Sequence, residues 1–373
     1  LNPEKRQPPH SIFMLVPDLS GEGAQARILC ANLPPDRFRV TIGALVPAAD
    51  STEELRAQGI TIQSVAVRHI LDFNGIRMLR RTVRDAGTDL LHTWGVAAAR
   101  AARFLVSTEA EVGNRPRLVV SGASSPGSGI GGWVAARQVR KADRVIAVTR
   151  AEGERYRRMQ VAAERLTRIS PSTDRAIPVK HDRERSIRGL ELPADARLIV
   201  AEGHSEGGIG SRDVIAAFDM LRYDYSQLHL AYLGAGSEAT GLEQFGRALA
   251  FDDFRIRFVS GDASSLAARR FAELSVIVKP RGGIAEALAA MSAGKPVIGW
   301  WNPDLAEIVD EGVTGFLVPL GDRAGLAGKI KLLLDDPRLA ARLGEAGRAR
   351  ASERFDLHRM TEQFARVYTE LLG

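Results

Sequence analysis

The strongest constraint on what this chain folds into is the stretch 275–320, SVIVKPRGGIAEALAAMSAGKPVIGWWNPDLAEIVDEGVTGFLVPL. A run rich in β-branched residues (275–278) meets the loop Lys279-Pro280-Arg281-Gly282-Gly283. An alanine-rich segment (284–293), a stop at Gly294 and a second apolar run (296–301) follow. Short apolar runs bounded by turn residues read as buried strands, and a glycine just past a helical segment reads as its end. Strand, glycine loop, helix, strand is the order of a βαβ unit, in which the long connection makes the two strands parallel. Ligands of such sheets gather beyond the carboxyl ends of the strands, where helix N-termini offer unpaired N–H groups to anions. The loop 279–283 is therefore the first place to expect a site.

The same alternation runs through the rest of the chain. Strands are predicted at 11–17, 38–46, 61–67, 89–93, 118–121, 144–148 and 166–169, with helices at 24–32, 53–59, 76–86, 96–107, 133–141 and 151–159. Residues 172–192 are charged, broken by Pro178 and without period, so 176–192 reads as an inter-domain linker. A second series has strands at 197–201, 227–233 and 256–259 and helices at 212–221, 237–250 and 264–274. After the opening stretch come helices at 323–334, 337–353 and 357–372. The pattern is α/β, parallel sheets with helices on both faces. The 373 residues suffice for two domains with separate cores. The expected division is a first domain over 10–175, the linker, a second domain over 193–355 and a last helix over 356–373.

Composition excludes several classes. No apolar run approaches the roughly 18 residues that a membrane span needs, and the N-terminal LNPEKRQPPH lacks the apolar segment of a secretory signal. The chain begins with Leu, so its natural start is expected upstream. The single cysteine, Cys30, allows no internal disulfide and suits a reducing compartment, so a soluble cytoplasmic protein is expected. No His-x-x-x-His pair, Cys cluster or Asp-x-Asp offers metal ligands, and neither a Walker loop nor a Gly-x-Ser-x-Gly elbow is present. Charge is uneven. Residues 1–185 carry 29 Lys and Arg against 19 Asp and Glu, and the remainder carries 22 against 26. A basic first half is either a well-solvated face or one that meets anionic partners, nucleic acid not among those expected.

Four features carry candidate chemistry, each beside a plainer reading. Gly21-x-Gly23-x-x-Ala26 follows the first strand and opens the first helix, the setting of a phosphate-binding turn or of a simple strand-to-helix turn. The acid that a nicotinamide-binding fold places about 20 residues on is missing or displaced to Asp50, which weighs against a nicotinamide enzyme. The loop 124–132, SSPGSGIGG, suits an anion on backbone N–H groups or a loop without a ligand. Asp89-Leu-Leu-His92 sets a histidine at a strand end, facing a substrate or satisfied in the core. In GIRMLRRTVRDA (75–86), Ile76, Leu79 and Val83 form one stripe among Arg77, Arg80, Arg81 and Arg84. That stripe packs on the domain's own sheet or docks on a membrane.

AMSAGKPVIG (290–299) and EIVDEGVTGFLVP (307–319) resemble the C-terminal signature of the group 1 glycosyltransferases. The resemblance implies the GT-B fold: two Rossmann-like, doubly wound domains facing across a cleft, with the last helix returning to the first domain. It implies transfer of a sugar, with retention of configuration, from a nucleotide-sugar donor to a glycan or lipid-linked acceptor. No cofactor is implied beyond the donor substrate, and the basic first domain would make any peripheral contact with the inner face of a membrane. The donor and its phosphates are expected near Gly21, Gly23, Gly203, His204, Arg281, Gly282, Gly283 and Glu286, and the candidate catalytic residues are Arg281, Glu286 and His92.

Four charged positions of the family differ here. Members carry an Arg just after the first strand of the second domain and a Lys further along the same loop; this chain has His204 and Ile209. Two family glutamates, one at the transferred sugar and one at the ribose, correspond to Arg281 and Ala289. Each charge-assisted hydrogen bond so lost is worth about 1.5–3 kcal/mol. Arg281 places a new cation beside Lys279 at a helix start, and Glu286 lies one turn before Ala289, near the same face. The replacements leave a second reading open: a non-catalytic member, pseudo-enzyme or partner subunit, that keeps the fold.

Overall fold

Each strand pairing is parallel, in both of the sheets that the chain builds. The structure, a computed structural model, describes residues 9–19, 23–46, 53–65, 67, 72–106, 115–125, 127, 129–173, 183–203, 208–250, 254–259 and 262–373. The chain divides into two compact units, Leu1–Pro171 with Leu357–Gly373, and Ser172–Asp356.

In the first unit, β1 (His10–Val16), α1 (Ala24–Asn32), β2 (Phe38–Ala44), α2 (Glu53–Ala57), β3 (Thr61–Ser64) and α3 (Phe73–Asp85) lead to β4 (Leu90–Trp94) and α4 (Gly95–Val106). Then come β5 (Arg117–Ser121), α5 (Gly129–Lys141), β6 (Arg144–Ala147), α6 (Arg150–Arg158) and β7 (Leu166–Arg168). The sheet order is β3-β2-β1-β4-β5-β6-β7. Side chains alternate across a strand, so the almost wholly apolar β1 feeds two cores. Ile12, Met14 and Val16 enter one, and Phe13 and Leu15 the other. A run without polar alternation is what a strand covered on both faces requires.

The second unit opens with α7 (Arg183–Gly189) and β8 (Arg197–Glu202), followed by α8 (Ser211–Leu221), β9 (Leu228–Leu233), α9 (Ala239–Ala250), β10 (Ile256–Val259) and α10 (Asp262–Phe271). It continues through β11 (Leu274–Ile277), α11 (Ile284–Ser292), β12 (Val297–Trp300), β13 (Gly315–Val318), α12 (Arg323–Asp335) and α13 (Pro337–Arg354). The order β10-β9-β8-β11-β12-β13 repeats the first six positions of the other sheet. Both are doubly wound sheets, with the switch point between the first and fourth strands: β1 and β4 in one unit, β8 and β11 in the other. The last helix, α14 (Leu357–Leu372), packs Met360, Phe364 and Tyr368 into the core beside Ile12 and Met14, so the chain closes on its first unit.

Several elements depart from the sequence reading, three of them instructively. The 176–192 stretch, taken as linker, ends in α7, whose Ile187 joins Leu198 and Val200 of β8 in a core; one buried isoleucine on a charged helix gives no periodic signal. Helix α5 begins at Gly129 rather than 133, inside the glycine-rich loop. Its Gly131 lies against Arg100 of α4: a Cβ there would come 3.0 Å from Nη1, the mobile end of that side chain. Helix α3 begins at Phe73, where the Asp72 side chain accepts a hydrogen bond from the Gly75 N–H at 2.9 Å and caps the first turn. No helix among the described residues is long and apolar enough to cross a membrane.

Two helical glycines test the packing. Gly344 of α13 faces the carbonyl oxygen of Gly294, which a Cβ would approach to 2.1 Å, whereas nothing lies within 4 Å of such an atom at Gly328 of α12. Gly344→Ala is expected to destabilise the protein by about 1–3 kcal/mol through overpacking. Gly328→Ala is expected to stabilise it by up to about 1 kcal/mol through helix propensity. Denaturant titration of both variants reads the two opposite signs.

Candidate functional site

At the switch point of the second unit the apolar run of β8 ends in Glu202, wholly buried, and the chain leaves the strand at Gly203. Gly203 has φ +114°, a conformation that side chains other than glycine's rarely adopt. A Cβ there would lie 3.0 Å from Cγ of Lys279, so the lysine stem passes directly over the bare backbone. Gly210, just before α8, has φ +85° and sits 2.5 Å, by the same construction, from the carbonyl oxygen of Val278 and 2.6 Å from Trp300 Nε1. Among the described residues that indole nitrogen is buried without a hydrogen-bond partner. Beyond β11, Gly282 and the left-handed Gly283 turn the chain into α11, whose first-turn N–H groups have no helical acceptor. Two helix N-termini and a set of bare glycines thus gather at one end of β8 and β11, the arrangement that binds anions on backbone N–H groups.

Four charged side chains surround this end in two pairs. Glu202 accepts from Arg269 Nε of α10 at 2.6 Å and from the Ser275 hydroxyl at 2.9 Å. Burial pushes the Glu202 carboxyl up, the Arg269 charge and both hydrogen bonds oppose that, and nearby Glu286 adds to the rise. The second pair is Lys279 Nζ and Glu286 Oε1, 2.7 Å apart, with side chains 21% and 15% exposed. For Glu286, burial alone would raise the carboxyl. The Lys279 ammonium, a backbone hydrogen bond and the Arg269 charge together hold it below its usual range. Glu286 is therefore an ionised carboxylate already engaged by Lys279, not a free group waiting beside Ala289. Arg281 is exposed and, among the described residues, makes no ion pair or hydrogen bond. Trp300 belongs to the core, whereas Trp301 next to it is exposed.

The first unit treats its candidates differently. His92 is fully buried: Nδ1 lies 2.6 Å from the Tyr368 hydroxyl of α14 and Nε2 2.8 Å from the Ser121 hydroxyl. Its catalytic candidacy is corrected on that ground, because both ring nitrogens are engaged inside the core and none faces a substrate. Burial lowers its pKa to about 3. Gly23 precedes α1 and a Cβ there would lie 1.8 Å from the Asp18 carbonyl oxygen, so its bareness serves a tight strand-to-helix turn. Between β5 and α5, α6 holds the glycine-rich loop: the Ala123 N–H donates to the Tyr156 hydroxyl at 2.8 Å and Arg155 Nε to the Ser124 hydroxyl at 3.0 Å. Of the stripe, Leu79 and Val83 join the core beside Phe13 and Leu15 and Ile76 is buried as well, so of the two readings the packing one holds. Gly21, His204 and Asp50 lie outside the described residues.

Sequence reasoning missed Glu202, Arg269, Ser275 and the role of Lys279. The available signal was a lone acid closing the apolar run RLIVAE, since a carboxylate at a buried strand end needs a partner. No group of three or more His, Cys, Asp or Glu among the described residues could hold a metal ion.

The His92 environment makes a pH prediction. A ring that stays neutral in the native state down to about pH 3 takes up a proton near its ordinary value of 6.5 once the chain unfolds. Stability is therefore lost as pH falls from 6.5 toward 3, by about 1.4 kcal/mol per pH unit for this group. Urea denaturation against pH is expected to show this slope, and His92→Gln to remove it.

Known proteins resemble the chain in both units. Residues 182–350 match the family model for group 1 glycosyl transferases, and residues 14–172 match the glycosyl transferase 4-like domain. The putative glycosyltransferase EpsD of Bacillus subtilis (strain 168) is 27% identical over 210 residues, 56% of this chain and 52% of that protein. The N-acetyl-alpha-D-glucosaminyl L-malate synthase of Bacillus anthracis is 26% identical over 162 residues, 43% of this chain and 42% of that protein. The chain thus spans about half the length of these curated relatives. Among solved structures, Anabaena Alr3699/HepE in complex with UDP and glucose superposes with a TM-score of 0.80 at 20% identity, covering 96% of this chain and 99% of that one. WaaG, a glycosyltransferase of lipopolysaccharide biosynthesis, superposes with a TM-score of 0.74 at 14% identity, covering 96% and 99%.

Proposed function

We propose that this chain is a glycosyltransferase of the GT-B fold that transfers a sugar from a nucleotide-sugar donor to a glycan or lipid-linked acceptor. The observation that carries the reading is the carboxyl end of β8 and β11. Bare backbone at Gly203, Gly210, Gly282 and Gly283, two helix N-termini and the exposed Arg281 converge there, which suits a diphosphate. The donor site is assigned to these residues with His204 and Glu286. The acceptor is assigned to the first unit, near Gly21, Gly23 and the loop 124–132. Chemistry at such a site rests on stabilising charge as it develops on the departing diphosphate. Helix N-termini and Arg281 serve that purpose, with retention of configuration following from the family resemblance. UDP-glucose is the first donor to test, since a HepE structure of the same fold is described in complex with it.

A second reading is favoured by the four replaced charges: a member that keeps the fold without turnover, acting as a partner subunit. Isothermal calorimetry with a panel of UDP-, ADP-, GDP- and TDP-sugars separates the two. The transferase is expected to bind at least one donor with a dissociation constant below about 1 mM, or about −4 kcal/mol. Silence across the panel contradicts it.

A peripheral membrane contact would use side chains other than the buried stripe of α3. Phe73 begins α3, Ile130 and Trp133 begin α5, and the three are 73%, 72% and 60% exposed. Arg77, Arg81 and Arg84 of α3 are exposed as well, and the Arg137 guanidinium lies 5.8 Å from the Trp133 ring centroid. Exposed aromatics among cations suit an anionic interface. Trp133→Ser with Ile130→Ser is expected to abolish co-sedimentation with phosphatidylglycerol vesicles while leaving the melting temperature unchanged.

A further inference from the structure

The loop after β8, residues 203–210, reads GHSEGGIG and contains neither Lys nor Arg. The arginine of α8, Arg212, passes its Nε 3.6 Å from where Gly208 would carry a Cβ and lays its guanidinium over the Phe245 ring at 5.4 Å, and Arg269 is held by Glu202. Across the switch point, the Lys279 stem lies on the Gly203 backbone, where a Cβ on residue 203 would crowd it at 3.0 Å from Cγ. We propose that Lys279, supplied from the tip of β11, is a further cation that takes the donor's diphosphate beside Arg281, and that Glu286 holds the ammonium in place until the diphosphate arrives. The inference rests on the transferase reading of this same site.

The charge balance supports it. Glu286 sits in the first turn of α11, where the N-terminal N–H groups favour a negative charge, so its carboxylate is the resident anion of that terminus. A diphosphate carries more charge than one carboxylate, fits the same N–H groups and competes for the same ammonium. The Arg269–Glu202 pair is closed on itself at 2.6 Å. On binding, Lys279 passes from Glu286 to the phosphates, and Glu286, released, becomes an acceptor for a donor hydroxyl near the place that Ala289 leaves vacant. A lysine from the fourth strand thereby replaces the basic residues that the loop after the first strand lacks.

Calorimetry of the full chain with UDP, and with pyrophosphate alone, tests this. Wild type is expected to bind UDP, and Lys279→Met to weaken it about tenfold or more, the equivalent of one charge-assisted hydrogen bond. Glu286→Gln, which frees the ammonium, is expected to tighten both ligands several-fold. A purely structural pair would instead weaken binding in both variants, and that result overturns the inference. Should Lys279→Met leave Glu286 unpaired and the unit unfolded, the double variant Lys279→Met with Glu286→Gln removes both charges and must show the same tenfold loss. If wild type binds UDP and the Lys279 variants bind it equally well, the inference fails and the transferase reading stands. If wild type binds neither UDP nor any nucleotide sugar, both fall.

Discussion

A parallel sheet covered on both faces has no room for polar chemistry along its strands, and that constraint organises this protein. In β1, β8 and β11 nearly every side chain enters one of two apolar cores, and polar groups concentrate at the strand tips. The strand order then selects which tips are open. Connections leave in opposite directions from the first and fourth strands, so β8 and β11 part at their carboxyl ends and the helices that follow aim their N-termini at one place. Burying charge there is costly, and the protein meets the cost by pairing: Glu202 with Arg269, Glu286 with Lys279. Arg281 stays in solvent.

His92 and Glu202 make an instructive contrast. Both are wholly buried polar residues on strands at a switch point, His92 in the middle of β4 and Glu202 at the end of β8. His92 is closed from above by Tyr368, brought by the last helix, and from the side by Ser121, so its hydrogen-bonding capacity is spent on holding α14 to the sheet. Glu202 is held by Arg269 and Ser275, and the Lys279 stem passes over the neighbouring Gly203. A buried polar residue on such a strand marks a candidate; its place along the strand and what covers it decide its role.

Much of the architecture was legible in the sequence because its signals are local. The helices 24–32 and 357–372 and the strand 256–259 have the bounds read from composition and period. The glycine loop 279–283 announced itself as a turn before a helix. The start of α5 and the whole of α7 were not legible, since glycines and charged residues enter those helices for reasons of packing that lie elsewhere in the chain. The same holds at the candidate site. Arg281, Gly282, Gly283 and Glu286 could be picked out by register, whereas the partnership of Lys279 with Glu286 and its course over Gly203 depend on two strands that meet only in the folded sheet.

On this reading, the tips of β8 and β11 receive a diphosphate whose cation comes from β11. A crystal structure of the chain soaked with UDP tests it most directly. The account predicts phosphate density over Gly203 and the first turn of α11, Lys279 Nζ within about 3 Å of a phosphate oxygen, and the Lys279–Glu286 contact opened. Diphosphate bound elsewhere, with Lys279 still closed on Glu286, would contradict it.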